Sequence, residues 1–129
     1  MKVKIGKYPN HRFYHNWLYN WFGYSPKQKT SIKIHNYDTW SMDHTLAPII
    51  LPMLVQLKAT THGYPNGLTE QKWDEILDEM IWAFEQKCRD DWMEDYDYNK
   101  WDTEGAKAHQ ERMSNGFRLF GKYYENLWD

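Results

Sequence analysis

The sequence predicts a mainly α-helical protein, a bundle of about four helices with a small two-stranded β element from the N-terminal third. Long segments repeat their apolar residues at helical spacing, and two short segments near the start alternate apolar with polar residues. Turn-forming residues separate these segments. A length of 129 residues suffices for one domain with a real core, so we predict a single domain over residues 1–129.

The two predicted strands lie on either side of the first helix. Val3 and Ile5 alternate with lysines, and Ile32 and Ile34 alternate with Lys33 and a histidine. This period of two is typical of strands, and we expect the two segments to pair.

The first helix should begin after Asn10, a plausible N-cap, and should stop at Gly23. Its Phe13, Trp17 and Trp21 recur at every fourth position. One stripe of this helix is therefore aromatic.

The second helix is predicted to begin at Thr39 or Ser41 and to continue to about Thr60. It is apolar almost all round, which predicts the central buried helix. Pro48 and Pro52 lie inside it, and each removes a backbone donor. We expect the second proline to kink the helix, or a side chain or water to bind the freed carbonyl.

The third helix shows the clearest pattern, with Thr69 as its N-cap and an end near Trp92. Its apolar stripe consists of Trp73, Ile76, Leu77, Met80, Ile81, Phe84 and Cys88. Cys88 is accordingly expected as a small core residue. The last helix should follow a cap at Thr103, and its weaker stripe consists of Ala106, Met113, Phe117, Phe120 and Tyr124.

Composition excludes several classes of protein. With 26% charged residues and a net charge of −2, the chain is neither a polybasic nucleic-acid binder nor an acidic tail, so no long nucleic acid is expected. A single cysteine allows no internal disulfide and suits a reducing compartment. No signal-peptide pattern is present, and the apolar run at 46–57 is shorter than the roughly twenty residues that cross a bilayer. We expect a soluble cytosolic protein without a membrane partner.

Aromatic residues and charges are unevenly used. The chain is 18% aromatic, with eight Trp and ten Tyr, which are favoured at interfaces and in ligand-stacking sites. Residues 1–37 hold seven Lys/Arg, three His and no acid, whereas residues 90–104 hold seven acids and one Lys. The basic third either pairs with those acids or binds a small anionic ligand. The aromatic excess also predicts a homo-oligomer.

Cations and aromatic rings of the N-terminal third, together with the start of the second helix, supply the predicted ligand-binding residues. These are Lys7, Arg12, His15, Trp17, Trp40, Asp43 and His44. Capping is an alternative role for Asp43, because a carboxylate in the first turn favours the positive end of the helix dipole.

Carboxylates on the third helix offer a second kind of site. Glu75 and Asp78 lie one turn apart, and Asp91 and Glu94 repeat that spacing. Such pairs could hold Mg²⁺ through oxygen ligands, and the pattern resembles the metal site of the all-α nucleotide pyrophosphatases. The alternative is a solvated acidic face. No G-x-G-x-x-G, Walker, C-x-x-C, H-E-x-x-H or nucleophile-elbow motif is present, so we assign no catalytic residue, cofactor or metal.

Three segments resemble a family of small proteins encoded by tailed bacteriophages. They read DTWSMDHTLAPIILPML at 38–54, WDEILDEMIWAFEQ at 73–86 and HQERMSNGFRLFGKYYENLWD at 109–129, and they cover about two fifths of the chain. The resemblance implies a phage accessory protein in the cytoplasm of the infected host.

Together these features favour a binding protein over an enzyme. The leading hypothesis is sequestration of a small anionic ligand, such as a cyclic nucleotide immune signal. One alternative is an inhibitor that binds a host protein through an aromatic surface. A Mg²⁺-dependent nucleotide hydrolase using the helix-borne carboxylates is the other.

Overall fold

A computed structural model describes residues 1–8, 13–23, 25, 27–60, 63–89, 91 and 103–128. Within them it contains two strands, four α-helices and two short 3₁₀ helices. The elements are β1 (Lys2–Ile5), α1 (Phe13–Phe22), β2 (Thr30–Lys33), a 3₁₀ helix (Asn36–Thr39), α2 (Met42–Thr60), α3 (Glu70–Arg89), α4 (Thr103–Lys122) and a second 3₁₀ helix (Tyr124–Asn126). The predicted fold class, four helices with a two-stranded β element, is confirmed. The predicted cap at Asn10 and the predicted helix end at Trp92 lie outside the described residues.

The chain divides into two compact units, Met1–Trp40 and Ser41–Asp129. The single domain over 1–129 stays a prediction. Every buried residue of the described part belongs to the second unit.

The first unit is built on the predicted strand pair. β1 and β2 are antiparallel, with Val3 opposite Ile32 and Ile5 opposite Thr30, and every residue of both strands is exposed. α1 ends at Gly23, whose φ of 65° and N–H bond to the Tyr19 carbonyl form a left-handed C-cap. The predicted helix stop is therefore confirmed.

An ion pair joins the N-terminal amino group of the first unit to Asp38, near the end of that unit. The Asp38 carboxylate accepts the backbone N–H of His35 at 2.8 Å and lies 3.1 Å from the Met1 amino group. The His35 N–H, followed by the amino group, lowers the pKa of Asp38 below its ordinary value.

In the second unit, α3 lies between α2 and α4 and packs against both. Its buried side chains are those of Trp73, Leu77, Met80, Ala83, Phe84 and Gln86. The prediction that the second helix is the central buried one is wrong, because α2 buries only Ala47 and Leu54. α2 packs against α3 on one side, and nine of its 19 residues stay exposed. The predicted cap of α3 is confirmed, since the Thr69 hydroxyl accepts the Lys72 N–H at 3.2 Å.

Cys88 is exposed, which corrects its predicted core position. At this end of α3 the covered side chains are Gln86, which contacts His109 of α4, and Lys87, which pairs with Asp43 of α2. Cys88 falls outside both contacts, because successive helical residues turn by about 100°.

α3 and α4 approach closely at Gly116. A Cβ built on this glycine would lie 2.4 Å from the Cβ of Ala83 and 2.7 Å from the carbonyl oxygen of Glu79. Beside it, Arg112 donates two hydrogen bonds to the Glu79 carboxylate, at 3.1 and 2.9 Å, and stacks 3.9 Å from the ring centroid of Trp82. Both features fix the register of the two helices.

α2 is a continuous helix through Pro48 and Pro52. Both prolines are exposed and lie one turn apart on the same side, and neither can donate a backbone N–H to the residue four positions before it. In the described part of the chain, no helix is long and apolar enough to cross a membrane.

Candidate functional site

An apolar groove of about 1000 Å³ runs between α2 and the C-terminal end of the second unit. Its lining residues are Leu46, Ile50, Pro52, Met53, Leu54, Gln56, Leu57, Thr60, Phe120, Tyr124 and Leu127. None of these residues is charged. The groove is open along its side, because Met53 and Tyr124 remain 66% and 65% exposed.

The sequence of α2 explains why the groove exists. Ala47 and Leu54, seven residues apart, face the core and are 0% and 3% exposed. A second apolar stripe at 46, 50, 53 and 57 follows the same helical spacing on the groove side. One helix therefore supplies both a core face and a wall of the groove.

Aromatic side chains of α4 and the following 3₁₀ helix form the opposite wall. Phe120 packs edge to face against Phe84 of the core, with ring centroids 5.2 Å apart, and against Tyr124 at 5.7 Å. Such pairs prefer this geometry and hold the rings in place. The wall is thus anchored in the core, while the Tyr124 ring remains available to a ligand.

The few polar groups of the groove suit binding rather than catalysis. The Thr60 hydroxyl already donates to the Gln56 carbonyl at 2.9 Å. The Gln56 amide and the Tyr124 hydroxyl can donate and accept hydrogen bonds with a ligand. The groove therefore fits an apolar group with one or two polar contacts.

The predicted ligand residues are divided between the two units. Lys7, His15, Trp17 and Trp40 belong to the first unit, Asp43 and His44 belong to the second, and Arg12 lies outside the described residues. None of these residues lines the groove. As ligand-binding residues, all seven stay predictions.

The structure gives Asp43 a structural partner. Its carboxylate lies 2.6 Å from the ammonium group of Lys87, which joins the start of α2 to the last turn of α3. The hydrogen bond from Lys87 lowers the pKa of Asp43. The start of α2 is thereby joined to the C-terminal end of α3.

The carboxylates of the hydrolase hypothesis take part in separate ion pairs. Glu75 pairs with Lys72, Asp78 with Lys58 and Asp91 with Arg89, and Glu94 lies outside the described residues. Among the described residues, no group of three or more acids, histidines or cysteines is arranged to hold a metal ion.

The sequence did contain a signal for the groove. An apolar run on every side of α2 predicts complete burial, but the helical spacing divides it into two stripes. In the structure α2 packs against α3, so one stripe is buried and the other lines the groove.

Comparison with known proteins gives no match to a protein-family model, a curated protein or a solved structure.

Proposed function

We propose that this is a bacteriophage accessory protein that binds a host protein, and that the apolar groove receives a helical segment of that partner. The uncharged lining of the groove is the observation that carries this proposal. The phage setting, and with it the cytoplasm of the infected host, rests on the three sequence segments 38–54, 73–86 and 109–129.

The shape of the groove favours a helix over a small molecule. Pockets for small molecules enclose most of their ligand, whereas this groove is open along its side. Its α2 wall runs from Leu46 to Thr60, which corresponds to about 21 Å at a helical rise of about 1.5 Å per residue. An amphipathic helix would lie along this length with apolar anchors at helical spacing. Met53 adds an adaptable contact, because methionine fits irregular apolar surfaces.

Site-specific crosslinking tests this proposal. A photoreactive benzoylphenylalanine in place of Met53 should yield a discrete adduct with one protein in lysate of the phage host. Val55 provides the matched control, since it lies on the same helix and is 48% exposed but does not line the groove. Adducts of equal yield at both positions, or at neither, would contradict the proposal. An adduct of twice the chain mass would instead identify a second copy as the occupant.

Sequestration of a small anionic ligand is the second candidate function. The first unit favours it, because residues 1–40 hold seven Lys/Arg and a single acid, Asp38, which is already paired. Trp17, Trp21 and Trp40 are 55%, 71% and 83% exposed, and their rings offer stacking surfaces for bases. Calorimetry against a panel of cyclic nucleotides tests this candidate, and no heat of binding at micromolar protein would exclude it.

A further inference from the structure

The two faces of the β1–β2 sheet differ in chemistry. Lys2 lies opposite Lys33 and Lys4 lies opposite Ser31. Directly opposite residues share a face, and so do residues two apart along a strand. These three lysines therefore lie on one face. Val3, Ile5, Thr30 and Ile32 lie on the other.

Lys29 lies on the same face of the sheet as Lys2, Lys4 and Lys33, one residue before β2 begins. The Gly6 N–H donates to the Lys29 carbonyl at 2.8 Å, which continues the strand register. A Cβ built on Gly6 would lie 3.6 Å from the Cβ of Lys29. Gly6 and Lys29 therefore lie on the same side of the sheet. That side also carries Lys2, Lys4 and Lys33, because Gly6 follows Lys4 by two positions.

This arrangement concentrates positive charge without compensation inside the unit. Side chains directly opposite each other are about 5 Å apart at Cβ and diagonal neighbours about 7–8 Å, so like charges there repel. Within the described residues, none of the four lysines takes part in an ion pair, and the carboxylate of Asp38 is held by Met1 and His35.

We infer that the lysine face, formed by Lys2, Lys4, Lys29 and Lys33, binds a small ligand that carries two or more phosphate groups. The lysine ammonium group is a phosphate-binding point charge. The spacing of the four side chains lets adjacent phosphates of one ligand contact different lysines, and binding relieves the repulsion between Lys2 and Lys33. This inference rests on the second candidate function and is independent of the groove.

A paired set of double variants tests the inference by calorimetry. Lys2→Gln/Lys33→Gln removes two charges from the lysine face. Lys72→Gln/Lys107→Gln removes two charges from the second unit, where these side chains are 65% and 77% exposed. The probes are inorganic tripolyphosphate, a cyclic dinucleotide and a thymidine oligomer of about twenty nucleotides.

We expect both small probes to bind the wild-type protein more weakly as salt concentration rises. The Lys2→Gln/Lys33→Gln double variant (the sheet variant) should lose about tenfold or more in affinity for the small probes. The affinity of the control, Lys72→Gln/Lys107→Gln, should change by less than about twofold. Equal losses in both variants would show attraction to net charge only and would overturn the inference. So would binding of the oligomer alone, or binding of neither small probe.

Two further outcomes separate this site from the function that it serves. Tripolyphosphate binding that depends on the sheet lysines, without binding of any cyclic nucleotide, would support the phosphate site and exclude cyclic-nucleotide sequestration. Cyclic-nucleotide binding that is unchanged in the Lys2→Gln/Lys33→Gln variant would support cyclic-nucleotide sequestration and overturn the phosphate site on the lysine face. The thermal midpoint of the unliganded sheet variant should equal or exceed that of the wild type, because a repulsive pair is removed. A lower midpoint would mean that the lysines only maintain the sheet, and would overturn the inference.

Discussion

Replacing Gly116 by alanine should destabilise the second unit, because α3 leaves no space for the added methyl group. That methyl would lie 2.4 Å from the Ala83 Cβ and 2.7 Å from the Glu79 carbonyl oxygen. Neither atom belongs to a flexible side chain that could rotate away. Helices α3 and α4 would have to separate, which disturbs the packing on both sides of the contact.

The magnitude follows from two opposing terms. Overpacking costs about 1–3 kcal/mol, and the rigid neighbours place this site in the upper half of that range. Alanine recovers about 1 kcal/mol through its higher helix propensity. The free energy of unfolding should therefore fall by about 1–2 kcal/mol, or about 4 °C in thermal midpoint for each kcal/mol.

Urea denaturation monitored by circular dichroism measures this change. Gly121→Ala is the matched control, because Gly121 lies on the same helix and a Cβ there would meet nothing within 4 Å. The control should gain up to about 1 kcal/mol. Equal stabilisation by both substitutions would refute the close approach of α3 and α4 at Gly116.

Three other perturbations test the core, an ion pair and the groove. Leu77→Ala removes a fully buried side chain and should lower the free energy of unfolding by about 2–5 kcal/mol, measured by urea denaturation. The hydrogen bond with Lys87 lowers the pKa of Asp43 in the folded protein below its ordinary value of 3.8. The ion pair therefore stabilises the fold at pH values above 3.8, and this contribution is lost as the pH falls through the lower folded-state pKa. Wild type should therefore exceed Asp43→Asn in thermal midpoint at neutral pH, and the difference should disappear in strong acid; a constant difference would contradict the pair. Met53→Asp should abolish binding of the neutral dye Nile red, whereas Val55→Asp should retain it, and equal fluorescence from both variants would argue against the groove.

Local signals in the sequence predicted the elements well. Thr69 and Gly23 mark helix ends through capping and a left-handed backbone, which depend on neighbours in sequence only. The strand pair around Val3 and Ile32 follows from a period of two. The third helix has a single apolar stripe, so its buried face was evident before any partner was known.

Tertiary packing explains what the sequence did not reveal. Hydropathy indicates that α2 is apolar but not how many helices pack against it. The sequence therefore predicted α2 as the central helix, whereas α3 is the helix that packs against both others. Cys88 continues the stripe in sequence, yet at that end of the helix Gln86 and Lys87 make the contacts with α4 and α2, and Cys88 stays exposed. The contact at Gly116 depends on a helix far away in sequence, although an isolated glycine in a helical pattern is a reason to expect close packing.

For the candidate sites, the sequence indicated the residue types better than their grouping. The basic and aromatic character of the first 40 residues was evident, but the register that sets Lys2 opposite Lys33 depends on a pairing across some thirty residues. Asp43 stood out in the sequence at the start of a helix, but its partner Lys87 could not be identified from a helix start alone.

The separation of core and charge has a consequence for how this protein can vary. All buried residues of the described part lie in the second unit, whereas the strands of the first unit are exposed throughout. Substitutions on those strands change an exposed surface at little cost in packing, because exposed positions usually shift stability by less than about 0.5 kcal/mol. Selection could therefore alter the chemistry of these exposed strands while the helical core stays constant.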